Sequence, residues 1–261
     1  NRKQYITVPD NDKLESKIYP HLLRSPFEEA EITVLRDNKE VAFSVKGIKG
    51  EFREDYLKSH ELLDNNIGIL NPSKISSEEM LREIMNEFSN TDGLIINLRK
   101  QPAYPMLIYN LAEYIVEKGM IQSVFAVPSK AVPGVFVKNN SLYNIRNPKS
   151  DICQYKNKVV ILMDEQTWSS AETAVMYFRQ GSNVVVMGEN SIGGNGDISQ
   201  LPLPGEKTIT FSGFGVYTAD GKQTQRIGLT PDIRIEHTLD GIKKGQDEFV
   251  EAAVNYILNN N

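Results

Sequence analysis

From Asn66 onward, short runs of consecutive apolar residues alternate with segments of helical periodicity, and this alternation restricts the fold more than any other feature. The apolar runs lack the polar–apolar alternation of a half-exposed strand, so each one predicts a strand buried on both faces, as in a parallel sheet. The segments between them repeat apolar residues at helical spacing, which predicts crossover helices and an α/β fold. The predicted strands are Ile67–Leu70, 93–98, 159–163 and Val184–Gly188, and the predicted helices are 76–88, 106–118 and 170–180.

The residues before this region have a different pattern. Residues 31–36 alternate polar and apolar side chains, Asp37-Asn38 is a turn signal, and residues 41–45 follow as a second strand-like run, which predicts a β-hairpin. Weaker patterns predict a short helix at 13–23, a long insertion covering the site at 122–157 and a closing helix at 247–258. We therefore divide the chain into a β-rich N-terminal segment, residues 1–60, and a core, residues 61–261.

The composition excludes several classes of function. The 261 residues carry a net charge of -5 with scattered Lys and Arg, so we expect no nucleic-acid partner, because phosphate binding requires a concentrated basic surface. No apolar run approaches the roughly 18 residues of a membrane-spanning helix, so we expect no transmembrane segment. The single cysteine, Cys153, excludes an intramolecular disulfide and has no CxxC or histidine partner nearby, so we expect no metal or other cofactor.

Ser169 stands at the junction between the third predicted strand and the third predicted helix. Such a junction lies at the carboxyl end of a parallel sheet, where open α/β folds bind their ligands. The free N–H groups at the start of the helix can stabilise an oxyanion, which favours a nucleophile at this position. However, Glu172 follows Ser169 by three residues, and this is also the spacing of a helix capping box, which needs no function. The spacing alone leaves both interpretations open.

Several segments resemble motifs of the tail-specific, or C-terminal-processing, serine proteases. The segment Thr167-Trp168-Ser169-Ser170-Ala171-Glu172 is similar to the Thr-Ala-Ser-Ala-Ser-Glu signature that carries the nucleophile of that family. The other similar segments, which occur in the family's order, are 93–99, Val184–Gly188 with Glu189 and Gly193-Gly194, 213–221 and 228–233. The resemblance implies an α/β core related to the crotonase and Clp-protease fold. Residues 31–45 resemble the last two strands of the PDZ module that often precedes this core, with a structural cap or linker as the alternative.

The resemblance also implies roles for individual residues. Ser169 falls on the nucleophile, and the backbone N–H of Ser170 falls on one donor of the oxyanion hole. The second donor is expected in the turn after Arg99, at Gln101. The residues expected to line the substrate cleft are Trp168, Gly193 and Gly194, with filling of the strand–helix corner as the alternative for Trp168. The implied activity is that of a serine-type endopeptidase acting on peptide or unfolded protein.

Three positions depart from the family pattern. The turn at 99–105 lacks the glycines of the family's oxyanion turn, and Gly194 stands where many members have a catalytic lysine. A tricorn-core-like branch lacks the lysine and uses a Ser-His-Glu arrangement instead, but Gln225 stands at its glutamate position. Gln can orient a histidine but cannot supply the charge that stabilises an imidazolium. The best-placed histidine to act as base is His60, shortly before the first core strand, and the remaining histidines are His21 and His237.

These departures leave two functions open: a peptidase acylated at Ser169, or a catalytically impaired relative that binds peptide or a partner protein in the same cleft. An acyl-thioester enzyme of the crotonase type would share the fold class, but the residues around Ser169 do not support it. The family resemblance implies an extracytoplasmic location, whether secreted, periplasmic or in the cell envelope. The chain opens Asn1-Arg2-Lys3 without an initiator methionine or a signal-peptide pattern, so we expect a mature or trimmed fragment.

Overall fold

A β-hairpin occupies residues 29–46, as the sequence predicts. Strand β1 (Glu29–Arg36) pairs with strand β2 (Lys39–Lys46) in an uninterrupted antiparallel register. The two turn residues, Asp37 and Asn38, have φ values of 51° and 60°. This left-handed conformation belongs to the tight turns that match the twist of two paired strands, and Asp and Asn adopt it more readily than most residues. An N-terminal β segment is therefore confirmed.

The structure, a computed structural model, describes residues 29–47, 57–117, 123–139 and 152–259. The chain separates into two compact units, residues 1–57 and 58–261. The helix predicted at 13–23 and the histidine His21 lie outside the described residues.

The larger unit is built on a central sheet. Its strands are β3 (His60–Leu62), β4 (Ile67–Leu70), β5 (Gly93–Asn97), β6 (Val124–Pro128), β7 (Phe136–Asn139), β8 (Lys158–Met163), β9 (Val184–Gly188), β10 (Ile198–Leu203), β11 (Lys207–Ser212), β12 (Gly215–Tyr217) and β13 (Ile233–Arg234). Six of them form one sheet in the order β13-β9-β8-β5-β4-β3. Every pair in it is parallel except β3–β4 at the edge. The predicted mostly parallel sheet is confirmed.

Helices cover both faces of this sheet. The α-helices described in this unit are α1 (Glu78–Glu87), α2 (Met106–Ile115), α3 (Ser170–Phe178), α4 (Leu239–Lys244) and α5 (Glu248–Asn259). Leu94 and Ile96 of β5 pack with the apolar residues of α1, α2 and α3, whereas Ile95 between them packs with α5. Each fully buried side chain of this kind contributes about 1.5–3 kcal/mol, so the continuous apolar runs stabilise a three-layer core.

Local signals explain where some of these helices begin and end. Ser77 caps α1, because its hydroxyl accepts a hydrogen bond from the Met80 N–H at 3.2 Å. Helix α2 ends at Ile115, before the predicted end at residue 118. None of the helices in the described ranges is long and apolar enough to cross a membrane.

The remaining strands lie outside the central sheet. A three-stranded sheet has the order β12-β6-β7, and β10 pairs with β11 as a separate antiparallel hairpin. The long insertion predicted at 122–157 therefore contributes two strands to the smaller sheet, and its residues 140–151 are outside the described part of the chain.

Candidate active site

Ser169 occupies the sharp corner between β8 and α3, in a backbone conformation that few serines adopt. Its φ and ψ are 52° and -119°, in a region that favours glycine. A non-glycine residue held there costs about 1–3 kcal/mol, so the surrounding structure must enforce the conformation.

A short turn before the corner supplies part of this enforcement. The Asp164 carboxylate accepts hydrogen bonds from the backbone N–H groups of Gln166 (2.9 Å) and Thr167 (3.1 Å). The fully buried Thr167 hydroxyl accepts from the Asp164 N–H at 2.9 Å and donates to the carbonyl of Leu98 at 3.1 Å. The Thr167 side chain thus joins the end of β8 to the end of β5, and the chain reaches Ser169 in a fixed direction.

The capping-box interpretation of Ser169 and Glu172 is wrong for this corner. The Ser169 side chain makes no capping hydrogen bond with the start of α3. Glu172 is completely buried, and one of its oxygens, Oε1, accepts from the Ser191 hydroxyl (2.5 Å) and from the Gly193 N–H (2.8 Å). The hydroxyl of the half-buried Ser169 therefore does not cap the start of α3.

Trp168 and the two glycines expected in the cleft lie together beside this corner. Trp168 is 48% exposed, so it does not fill the interior of the corner. A β-carbon added to Gly194 would lie 3.7 Å from the Trp168 Cβ, which is ordinary contact distance. Gly193 has φ 75°, and a β-carbon there would lie 2.7 Å from the Gly228 backbone nitrogen. Only glycine fits position 193, because the loop passes close to the backbone at 226–228. The Ile192 N–H donates to the Thr167 carbonyl at 3.1 Å, which holds the loop beside the corner.

Gln101 and Ser170, the residues expected to form the oxyanion hole, are neighbours. The Ser170 hydroxyl lies 3.5 Å from the Gln101 side-chain oxygen. Ser170 is the first residue of α3, where backbone N–H groups have no partner within the helix. Behind the turn, Arg99 is held by two hydrogen bonds to the Asp247 carboxylate, at 3.0 and 2.7 Å. The turn is thereby fixed to the start of α5 despite its lack of glycines.

His60 and Gln225 do not meet Ser169 in this arrangement. His60 lies on the edge strand β3, where its ring contacts Glu87 (3.3 Å) and the hydroxyl of Ser59 (2.9 Å). Strands β4 and β5 separate β3 from β8, and three strand spacings amount to roughly 14 Å. His60 stays at this edge because its ring contacts Glu87 at the end of α1 and the neighbouring Ser59.

Gln225 uses both ends of its side-chain amide on the backbone near β12. Its oxygen accepts from the Val216 N–H at 3.1 Å, and its nitrogen donates to the Phe214 carbonyl at 2.7 Å. His237 stacks on Phe249 of α5, with 4.5 Å between the ring centres. Within the described ranges, no histidine, lysine or carboxylate is hydrogen-bonded to the Ser169 hydroxyl.

Acidic side chains follow neighbouring strands at the same edge of the sheet. Burial raises the pKa of Asp164, and hydrogen bonds and the Arg99 charge offset only part of this effect. Burial also raises the pKa of Glu165 and of Glu189, and the negative charge of Asp164 adds to both shifts. In the part of the chain that is described, no cluster of His, Cys, Asp or Glu has an arrangement that could hold a metal ion.

The sequence reasoning missed the side chains that hold the corner in place: Asp164, Thr167 and Ser191. The signal for the first two was present, because an Asp followed three residues later by Thr at the end of a buried strand is a common side-chain-to-backbone turn. Ser191 had no local signal, since its partners Glu172 and Leu229 are distant in sequence.

Comparison with known proteins agrees with this geometry. Residues 66–235, more than half of the chain, match peptidase family S41. Over 180 residues the chain is 25% identical to the carboxy-terminal processing protease CtpA of Bacillus subtilis (strain 168), a match that covers 67% of this chain and 36% of CtpA. The chain therefore spans about a third of the length of that relative.

Two solved structures are similar in fold. Mature CPAF complexed with lactacystin has a TM-score of 0.72 at 15% identity, covering 96% of this chain and 74% of the other. A candidate peptidase from Parabacteroides merdae ATCC 43184 has a TM-score of 0.64 at 22% identity, and the match covers 78% of this chain and 67% of that chain. At these identities the likeness shows the fold alone. Taken with the sequence match, it confirms the resemblance of the motifs: the chain belongs to peptidase family S41, a family of C-terminal-processing serine peptidases.

Proposed function

We propose that this chain is a serine-type endopeptidase that hydrolyses peptide bonds through an acyl-enzyme at Ser169. The observation that carries the proposal is the backbone of Ser169, which is held at φ 52° at the start of α3 while its hydroxyl makes no capping bond. A strained conformation of this kind is maintained where function requires it. Family membership supports the same activity.

The reaction would follow from the groups at the corner. The Ser169 oxygen attacks the carbonyl carbon of the scissile peptide, the bond from that carbon to the leaving nitrogen breaks, and the serine proton ends on the leaving amine. Negative charge develops on the carbonyl oxygen, where the Ser170 N–H and the positive end of α3 would stabilise it. The second donor is proposed to lie in the turn at Gln101. Water then attacks the acyl-enzyme ester, which releases the acid product and restores the serine.

Three observations favour a second candidate function, binding of a peptide or partner protein without cleavage. Gln225 is engaged with the backbone near β12, Gly194 has no side chain, and His60 is held at the far edge of the sheet. A serine without a general base loses roughly 10²–10⁴-fold in rate. The two candidates therefore differ in the activation of Ser169 and share the cleft.

A fluorophosphonate probe separates the two candidates, because it reacts with activated serines. The native protein and Ser169→Ala are incubated with the probe, and the labelled residue is identified by mass spectrometry. We expect the native protein to be labelled at Ser169 and the variant to remain unlabelled. A native protein that binds unfolded peptide but is not labelled would support the binding function instead.

We further propose peptide or unfolded protein as the substrate and a location outside the cytoplasm, both on family membership. Fractionation of the source cells, followed by detection of the protein in the secreted, envelope and cytoplasmic fractions, tests the location. Recovery only from the cytoplasmic fraction would contradict it.

A further inference from the structure

Glu172 is a buried carboxylate that joins three separate segments of the chain. It lies in the first turn of α3, and its Oε1 accepts from both the Ser191 hydroxyl (2.5 Å) and the Gly193 N–H (2.8 Å). None of its surface is exposed. Burying a carboxyl group at this depth is costly unless hydrogen bonds replace its lost hydration, so the two bonds to Oε1 stabilise the folded corner.

Ser191 extends the connection to a third segment. Its hydroxyl accepts from the Leu229 N–H at 2.7 Å while donating to Glu172, and its own N–H donates to the Leu229 carbonyl at 3.0 Å. Both residues are buried, with exposures of 0% and 3%. The start of α3, the loop at 191–194 and the segment around 229 are therefore fixed to one another through Glu172.

Gly193 transmits this constraint to the cleft. Its N–H is bound by Glu172, and its carbonyl accepts from the Arg226 N–H at 2.8 Å. The next residue, Gly194, is exposed and lies against Trp168, which directly precedes Ser169 in the chain. Any displacement of Gly193 would therefore move Gly194 relative to the reactive serine.

Two other roles for Glu172 conflict with its surroundings. In a capping box its carboxyl group would accept from the Ser169 N–H while the Ser169 hydroxyl capped the helix, but that hydroxyl makes no capping bond and the bonds to Oε1 come from the loop. A general acid or base must reach the substrate, and a side chain with no exposed surface cannot do so in this conformation.

We propose that Glu172, together with Ser191, is a positioning residue that holds the Gly193-Gly194 loop as one wall of the peptide cleft. The proposal rests on the proposed function in so far as the cleft at Ser169 accepts peptide. It predicts that the position of the loop depends on an acceptor oxygen at residue 172 and does not depend on a negative charge there.

Two variants of similar volume separate these properties. Glu172→Gln keeps a side-chain oxygen for Ser191 and Gly193, whereas Glu172→Met removes it. Glu251→Gln, on the exposed face of α5, is the matched control for the loss of a carboxylate. Amide hydrogen exchange of Gly193, KM and kcat for an unfolded peptide substrate, and the melting temperature are measured for all of them.

We expect Gly193 exchange to be at least about tenfold faster in Glu172→Met, because its N–H loses its acceptor, and nearly native in Glu172→Gln. KM should rise about tenfold in Glu172→Met, with a much smaller change in kcat, because a misplaced cleft wall weakens binding before chemistry. The proposal would be overturned if Gly193 exchange and KM rose equally in Glu172→Gln and Glu172→Met. It would also be overturned if both quantities kept their native values in Glu172→Met.

The outcome does not depend on whether the protein is a peptidase. If Ser169 is not labelled by the fluorophosphonate, the proposed catalysis fails, and the dissociation constant of the same peptide replaces KM in the comparison. If Glu172→Met does not fold, Ser191→Ala removes the hydroxyl between Glu172 and Leu229, and Ser191→Thr retains it. The Ala variant should then raise KM or the dissociation constant and the Thr variant should restore it, and failure of this pattern would contradict the proposal.

Discussion

The corner that carries Ser169 and the residues expected to activate it are built in very different ways. Around the corner, Thr167 and Glu172 are completely buried and bound to other segments. His60 and Gln225 instead serve the regions in which they lie, the sheet edge and the backbone near β12. The difference shows that the backbone conformation of Ser169 is fixed by buried contacts between distant segments, whereas His60 and Gln225 are held by contacts of their own regions.

The largest expected effect tests how tightly the corner is built. Gly193→Ala places a β-carbon 2.7 Å from the Gly228 nitrogen at a φ of 75°. Strain and overlap together should reduce the free energy of unfolding by about 3 kcal/mol. Gly194→Ala, where the nearest atom is a flexible Ile192 methyl at 3.2 Å, is the matched control and should change it far less. Urea denaturation gives both values, and equal values would show that the loop is not held as described.

A smaller effect is expected for the hydroxyl that joins β8 to β5. Thr167→Val keeps the shape of the side chain but leaves the Leu98 carbonyl and the Asp164 N–H without their partner. Unsatisfied buried groups of this kind cost about 1–3 kcal/mol, so we expect a loss of about 2 kcal/mol by thermal unfolding. Thr208→Val, on the exposed hairpin, should be nearly neutral. A neutral Thr167→Val would remove this residue from the account of the corner.

Replacement of His60 or Gln225, the residues expected to act as base and orienting group, should have little effect on the reactivity of Ser169. The loss of Gln225 should instead appear in the stability of the protein. Gln225→Ala removes two hydrogen bonds to the backbone near β12 and should cost about 1–1.5 kcal/mol, whereas Gln200→Ala on the exposed hairpin should not. In Gln225→Ala and His60→Ala, fluorophosphonate labelling of Ser169 should lose far less than the roughly 10²–10⁴-fold expected for a general base. A loss of that size in either variant would restore the residue to the catalytic group.

Replacement of the proposed nucleophile, Ser169, should stabilise the fold. Ser169→Gly relieves a backbone conformation that costs about 1–3 kcal/mol and loses about 0.5–1 kcal/mol in chain entropy, so we expect a net gain of about 1 kcal/mol. Ser76→Gly, at an exposed residue without positive φ, should instead be destabilising. A destabilised Ser169→Gly protein would show that the corner is not strained.

The smallest effects are expected from two aspartates near Arg99, with opposite signs. Burial raises the pKa of Asp164 above its ordinary 3.8, so the folded state binds its proton more tightly and stability falls as the pH rises through that range. Asp164→Asn keeps an acceptor oxygen and should be more stable than the native protein at pH 7. The difference should disappear below about pH 3.8, where the carboxyl group is protonated in both states.

For Asp247, burial opposes ionisation, but the Arg99 hydrogen bonds and charge outweigh it and lower the pKa below 3.8. This stabilisation is present above that value and is lost as the pH falls through the lowered pKa. Because the Asp247 side chain is 42% exposed, Asp247→Asn should cost about 1 kcal/mol or less at neutral pH. Melting temperatures of the two variants are measured from pH 3 to pH 7. At pH 7 Asp164→Asn should raise the melting temperature and Asp247→Asn should lower it, and a change in the same direction would contradict the opposite pKa shifts.

Much of the fold was predictable because its signals are local. The apolar runs at Ile67–Leu70 and Val184–Gly188 became strands with those bounds, and the Asp37-Asn38 turn became the predicted hairpin. A strand buried on both faces requires consecutive apolar residues, and a tight turn requires residues that accept positive φ, so neither depends on distant contacts. The end of α2 at Ile115 was predicted less well, because propensity alone does not fix where a helix stops.

For the candidate site, the sequence by itself determined that Ser169 follows a buried strand and begins a helix, since both elements lie next to it in the chain. Only the tertiary structure decided that its side chain does not cap that helix, because its backbone is held at φ 52° and ψ -119° and not in the extended conformation of a capping residue. Likewise, only the structure placed His60 on the edge strand, away from β8. Hydrogen bonds between distant segments compete with local ones, and buried polar groups such as those of Thr167, Glu172 and Ser191 must find partners within the protein.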